Sequence, residues 1–92
     1  LDVLNKLGRT YSAMGQTENA IDAFKEAIKV YPTAVAPYNN LGVQYIKTGR
    51  LDLAIETLER ALKIREEQYL RSNLSLAYAK KEEIEVKSGK KK

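Results

Sequence analysis

Leu7-Gly8 with Tyr11 returns 34 residues later as Leu41-Gly42 with Tyr45, and Gly15 returns as Gly49. Ala20-Ile21 comes back as Ala54-Ile55, and Ala27-Ile28-Lys29 as Ala61-Leu62-Lys63. A fixed period in the range of about 20–50 residues marks a solenoid, whose units bury no apolar face alone and must stack to form a core. The repeat constrains architecture more than any other feature. It also points to a chain that holds partners rather than one that transforms substrates.

Composition narrows the function classes. Cysteine and histidine are both absent from the 92 residues, so no disulfide, thiolate or imidazole metal site, or histidine-based catalytic pair can be assembled within the chain. No nucleophile–base pair or phosphate loop is visible, and no cofactor is expected. No apolar run is long enough for a signal-peptide core or a membrane span. Nothing requires an oxidising compartment, which leaves the cytoplasm as the expected setting. The sequence begins at Leu1, already inside the repeat, and is expected to be a piece of a longer protein. The net charge of +4 is unevenly spread: residues 80–92 hold six basic and three acidic side chains, against ten and nine before them. The basic character therefore belongs to the end of the chain more than to its body.

The periodicity predicts five helices. Val3, Leu4, Leu7, Tyr11 and Met14 recur at three- and four-residue steps, the spacing of an amphipathic helix, and Gly15 is predicted to end it as a left-handed cap. A second helix is predicted from near Glu18, whose carboxylate suits the positive end of the helix dipole, with Ala20, Ile21, Phe24, Ala27 and Ile28 as its buried stripe. Tyr31-Pro32 closes the pair. Tyr38, Leu41, Gly42, Tyr45 and Ile46 mark the third helix, Gly49 its stop, and Leu51 to Ile64 the fourth. The outer face of the fourth offers Glu56–Arg60 and Glu59–Lys63 pairs, each worth about 0.2–0.5 kcal/mol. Small residues at Gly8 and Ala20 are expected to bring the first two helices close together.

The third unit is irregular. Asn73-Leu74-Ser75 and Tyr78-Ala79-Lys80 follow Asn40-Leu41-Gly42 and Tyr45-Ile46-Lys47 by 33 residues, with Glu66 in place of Pro32 and Glu82 in place of Gly49. A long fifth helix from about Tyr69 to Val86 is expected, unstopped by glycine. The alternative is a fourth and fifth helix fused into one, since no strong breaker lies between Lys63 and Ser72. Leu70, Leu74 and Tyr78 are expected to rest on the second unit, leaving Ala77, Ile84 and Val86 as an uncovered stripe. Residues 88–92 read as a disordered basic tail.

These residues resemble the tetratricopeptide repeat. In the first unit the match runs through Leu4, Leu7, Gly8, Tyr11, Ala20, Phe24, Ala27 and Pro32, and in the second through Tyr38, Leu41, Gly42, Tyr45, Ala54, Leu58 and Ala61. The resemblance implies an all-α superhelix of two full helix–turn–helix repeats, 1–34 and 35–67, plus a partial repeat or capping helix at 68–87. It further implies that the first helix of each repeat lines a concave peptide-binding groove. The groove positions are then Asn5, Arg9 and Ser12, followed by Asn39, Val43, Ile46 and Lys47, and by Ser72, Leu76 and Lys80.

Val43, Ile46 and Leu76 are expected to be exposed apolar anchors, because the buried stripes of their helices lie elsewhere. Asn39 stands at a position that resembles one holding peptide backbone, and Asn40 is expected to be tied to a neighbouring helix. The carboxylate-clamp pattern of the family is not met at Asn5, Arg9 and Val43. The leading expectation is a protein-interaction module taking a peptide or helix of a partner protein, with weak self-association through the last helix as the alternative. Nucleic acid is disfavoured, since the aromatic residues are not interleaved with the lysines.

Overall fold

A Cβ placed on Gly8 would stand 2.4 Å from a ring carbon of Phe24, and one on Gly42 would stand 2.8 Å from the Leu58 side chain. Each glycine makes room for one large apolar side chain of the helix that follows it. The atoms nearest that position on Gly8 all belong to Phe24, while Ala20 on the same facing helix is completely buried. Phe24 and Leu58 are among the most completely buried side chains of the protein.

The computed structural model describes residues 2–89. They form α1 (Asp2–Ala13), α2 (Thr17–Val30), α3 (Val35–Lys47), α4 (Leu51–Ile64) and α5 (Gln68–Lys87). α1 and α2, then α3 and α4, make two helical hairpins, and each even-numbered helix lies between two odd-numbered ones. The result is a slab two helices thick, 45 × 29 × 18 Å, with α1, α3 and α5 in one layer and α2 and α4 in the other.

The turns repeat as closely as the helices do. Gln16 N–H donates to Tyr11 C=O and Gly15 N–H to Ser12 C=O; in the second unit Arg50 N–H donates to Tyr45 C=O and Gly49 N–H to Ile46 C=O. Gly15 and Gly49 have φ of 77° and 76°, the left-handed conformation this capping motif requires and only glycine adopts without strain. Two ion pairs join successive units at the same level, Glu18 with Arg50 and Asp52 with Lys81.

α4 and α5 are separate helices. Arg65 and Glu67 are extended (φ −159°, ψ 137° and φ −140°, ψ 137°), although no glycine or proline stands there. Tertiary packing supplies the break: Leu70 reaches full burial only if the chain turns back across α4. α5 departs from expectation at two further points. Ala77, expected in the uncovered stripe, is completely buried, whereas Ile84 and Val86 are exposed as expected. The helix is also stopped by a glycine, since Gly89 (φ 76°) follows the Ser88 cap, whose N–H donates to Ile84 C=O. Ser88 and Gly89 thus form an ordered helix end; Lys90–Lys92 of the expected disordered tail lie outside the described residues.

α1 is half uncovered. Val3 is 78% and Met14 61% exposed, while Leu4 and Tyr11 are partly buried. Among the described residues no helix lies on that side of α1, so only the part of its apolar stripe that meets α2 and α3 is buried.

Candidate functional site

The face shared by α1, α3 and α5 is built on asparagines. Asn40 Nδ2 donates to Asn5 Oδ1 at 2.9 Å, and one unit later Asn73 Nδ2 donates to Asn39 Oδ1 at 2.7 Å. Asn40 and Asn73 hold equivalent places in their units, as do Asn5 and Asn39. The tie expected of Asn40 is present, and it recurs. Each bond joins the first helices of neighbouring units and sets their separation along this face. Asn5 and Asn39 act as acceptors here, so each keeps Nδ2 donors that no described residue takes up.

Between α1 and α3 lies a depression of about 310 Å³ lined by Arg9, Ser12, Asn40, Val43, Gln44 and Lys47 among others. Four of the expected groove residues therefore meet in one place: Arg9, Ser12, Val43 and Lys47. Ser12 Oγ accepts from Gln44 Nε2 at 2.9 Å and from Lys47 Nζ at 3.5 Å. Gln44 is 3% exposed, and its Oε1 has no hydrogen-bond partner among the described residues. Buried polar atoms are nearly always paired, and leaving one unpaired costs free energy. Sequence reasoning did not single out Gln44. The available signal was its place one turn after Asn40, on the same side of α3.

Ile46 corrects an expectation. It is 8% exposed and belongs to the apolar core, so it is no surface anchor. α3 packs against α2, α4 and α5 as well as α1, which leaves few of its faces open to solvent. Val43 is half-buried, and Leu76 on α5 is 45% exposed. Ser72, Leu76 and Lys80 stand on α5, outside the α1–α3 depression.

Charge on the opposite layer differs from expectation as well. The Glu56–Arg60 and Glu59–Lys63 pairs are not formed. Arg60 lies over the Tyr38 ring, 5.4 Å from its centroid, and Glu59 accepts a 2.9 Å bond from the Tyr78 hydroxyl. That bond raises the Tyr78 pKa, because the hydroxyl must keep its proton to donate. Lys81 is likewise raised by its bond to Asp52.

Stacked helical hairpins of 34-residue period with a continuous face of first helices define a helical-repeat protein. The tetratricopeptide repeat pattern matches residues 5–69, and the chain belongs to that family. The family is in general a non-catalytic repeat fold whose members are protein-interaction modules. A 60-residue segment is 37% identical to the Arabidopsis thaliana "Tetratricopeptide repeat domain-containing protein PYG7, chloroplastic". That alignment covers 65% of this chain and 20% of the relative, so the chain spans a small part of that protein's length. No helix among the described residues is long and apolar enough to cross a membrane.

Proposed function

We propose that the face formed by α1, α3 and α5 is a groove that holds a segment of a partner protein, with Val43 and Leu76 as apolar anchors. The observation that carries this reading is the depression between α1 and α3, where a half-buried valine sits among polar side chains with unused hydrogen-bonding capacity. An apolar contact beside a few convergent polar groups is the usual make-up of a peptide site. Asn5 and Asn39 would donate to the carbonyls of the bound segment. The same reading makes the chain a holder and not an enzyme. The relative's name places that protein in the chloroplast, which lends the cytoplasmic expectation no support.

The test is selection from a random peptide library followed by measurement on variants. Selected peptides should lose binding to Val43→Glu while helix content, read by circular dichroism, stays unchanged. Peptides indifferent to both Val43→Glu and Leu76→Glu would place the site elsewhere. A second reading, self-association through α5, is favoured by the exposure of Ile84 and Val86.

A further inference from the structure

The two layers of the slab differ in charge. From Val3 to Lys81 every acidic side chain lies on α2, on α4 or in the 65–67 link: Glu18, Asp22 and Glu26, then Asp52, Glu56 and Glu59, then Glu66 and Glu67. Over the same span α1, α3 and α5 carry no carboxylate, yet hold Lys6, Arg9, Lys47, Arg71, Lys80 and Lys81; outside it Asp2 opens α1 and Glu82, Glu83 and Glu85 lie near the end of α5, while α2 and α4 balance most of their acids with Lys25, Lys29, Arg60 and Lys63. Arg71 is paired with Glu66 and Lys81 with Asp52. Lys6, Arg9, Lys47 and Lys80 form no ion pair among the described residues. Two of these four, Arg9 and Lys47, line the α1–α3 depression. Lys80 occupies in the third unit the place Lys47 occupies in the second.

We infer that the segment held in the groove is acidic, with carboxylates flanking the aliphatic side chain that meets Val43. This rests on the groove reading and names the partner's chemistry. The lining of the depression holds Arg9 and Lys47 and no carboxylate, and this local excess of base gives the groove a positive field that steers and orients an anionic ligand. Arg9 offers a planar fork for two-point carboxylate binding, and Lys47 a point charge whose hydrogen-bond partner among the described residues is the Ser12 hydroxyl. A nucleic acid would meet the same charge. It would find no stacking surface, because no aromatic side chain lines the depression except Phe24, which is 1% exposed.

The experiment is a titration of the isotope-labelled chain, followed by amide chemical shifts. Three probes are used: a short peptide of glutamate and leucine, its lysine–leucine counterpart, and an oligothymidylate of similar length. The glutamate–leucine peptide should shift amides of α1 and α3 around Arg9 and Val43, and bind more tightly as salt is lowered. Arg9→Glu and Lys47→Glu should each weaken it about two- to fivefold, the loss of one exposed charge pair. The double variant should instead take the lysine–leucine peptide. If both peptides bind the groove equally and Val43→Glu abolishes both, the groove stands and its acidic preference is overturned. If neither peptide shifts groove amides, the groove reading falls with it. Tighter binding of oligothymidylate than of the acidic peptide would overturn the proposal in favour of nucleic acid.

Discussion

Gly42 shows how much of this fold rests on one missing atom. A methyl there would meet Leu58 at 2.8 Å on two carbons, and Leu58 is fully buried with nowhere to retreat. Gly42→Ala should therefore destabilise by about 1–3 kcal/mol through overpacking. Leu58→Ala should cost about 2–5 kcal/mol through the cavity it leaves. Because each relieves the other, urea unfolding of the double variant should show a loss well below their sum; additive losses would refute the contact. Gln44 gives a second residue-scale prediction. Its Oε1 is already unpaired in a buried place, so an apolar group of similar shape should be tolerated. Gln44→Met is expected to stay within about 1 kcal/mol of the parent by the same measurement, and a larger loss would show that the bond from Gln44 to Ser12 matters to the fold.

At the scale of elements, what could be read in advance was what local chemistry decides. Gly15 and Gly49 stand where a left-handed turn is required, so the ends of α1 and α3 follow from sequence; α4 runs over Leu51–Ile64 as its periodicity indicates. Separate α4 and α5 were the expected reading and fusion the alternative; what the sequence did not show is the cause of the break, which lies in Leu70 packing on the second unit and not in a breaker at Arg65–Glu67. Ile46 and Ala77 were misjudged for one shared reason: helical spacing gives a residue's face but not whether a neighbouring helix covers it. The groove was legible as a face, through the family resemblance. The Asn5–Asn40 and Asn39–Asn73 ties specify its spacing, and Gln44 within it became visible only with the helices in place.

The start of α5 carries a pH prediction. Glu66 is held below the ordinary glutamate range, first by its hydrogen bond to Arg71 and then by that residue's charge. A carboxyl depressed in the folded state contributes stability that is present above its unfolded pKa and lost as pH falls through the folded one. Acid should thus loosen the first turn of α5 before the rest of the slab, more weakly at high salt because the pair is exposed. Arg71→Ala should return the Glu66 carboxyl to the usual range in a carbon-detected NMR titration. An unchanged Glu66 midpoint would show that Arg71 is not the cause.

Across the whole molecule, α5 is the element with least behind it. Leu70 and Ala77 face the second unit, while Leu76, Ile84 and Val86 remain 45%, 53% and 58% exposed. Ile84 also borders a cleft of about 260 Å³ against Leu51 and Asp52, open to a side chain from outside. These residues are too few to hold a tight dimer, since stable interfaces bury on the order of 800 Å² on each partner. The chain should therefore be monomeric when dilute and associate weakly through residues 76–86 as concentration rises, as sedimentation would record. The contact is apolar, so salt should not dissociate it. Exchange of α5 between copies is the stronger form available if the Arg65–Glu67 turn straightens, a recognised route to dimers when a hinge opens. Ile84→Glu separates this behaviour from peptide binding. It should abolish association and leave the groove's affinity intact, whereas Arg9→Glu should weaken peptide binding and leave association unchanged. A parent chain that stays monomeric at millimolar concentration would make α5 a solvated cap on the second repeat. Association that survives Ile84→Glu would move the contact to the exposed side of α1, where Val3, Leu7 and Met14 form a second uncovered apolar stripe.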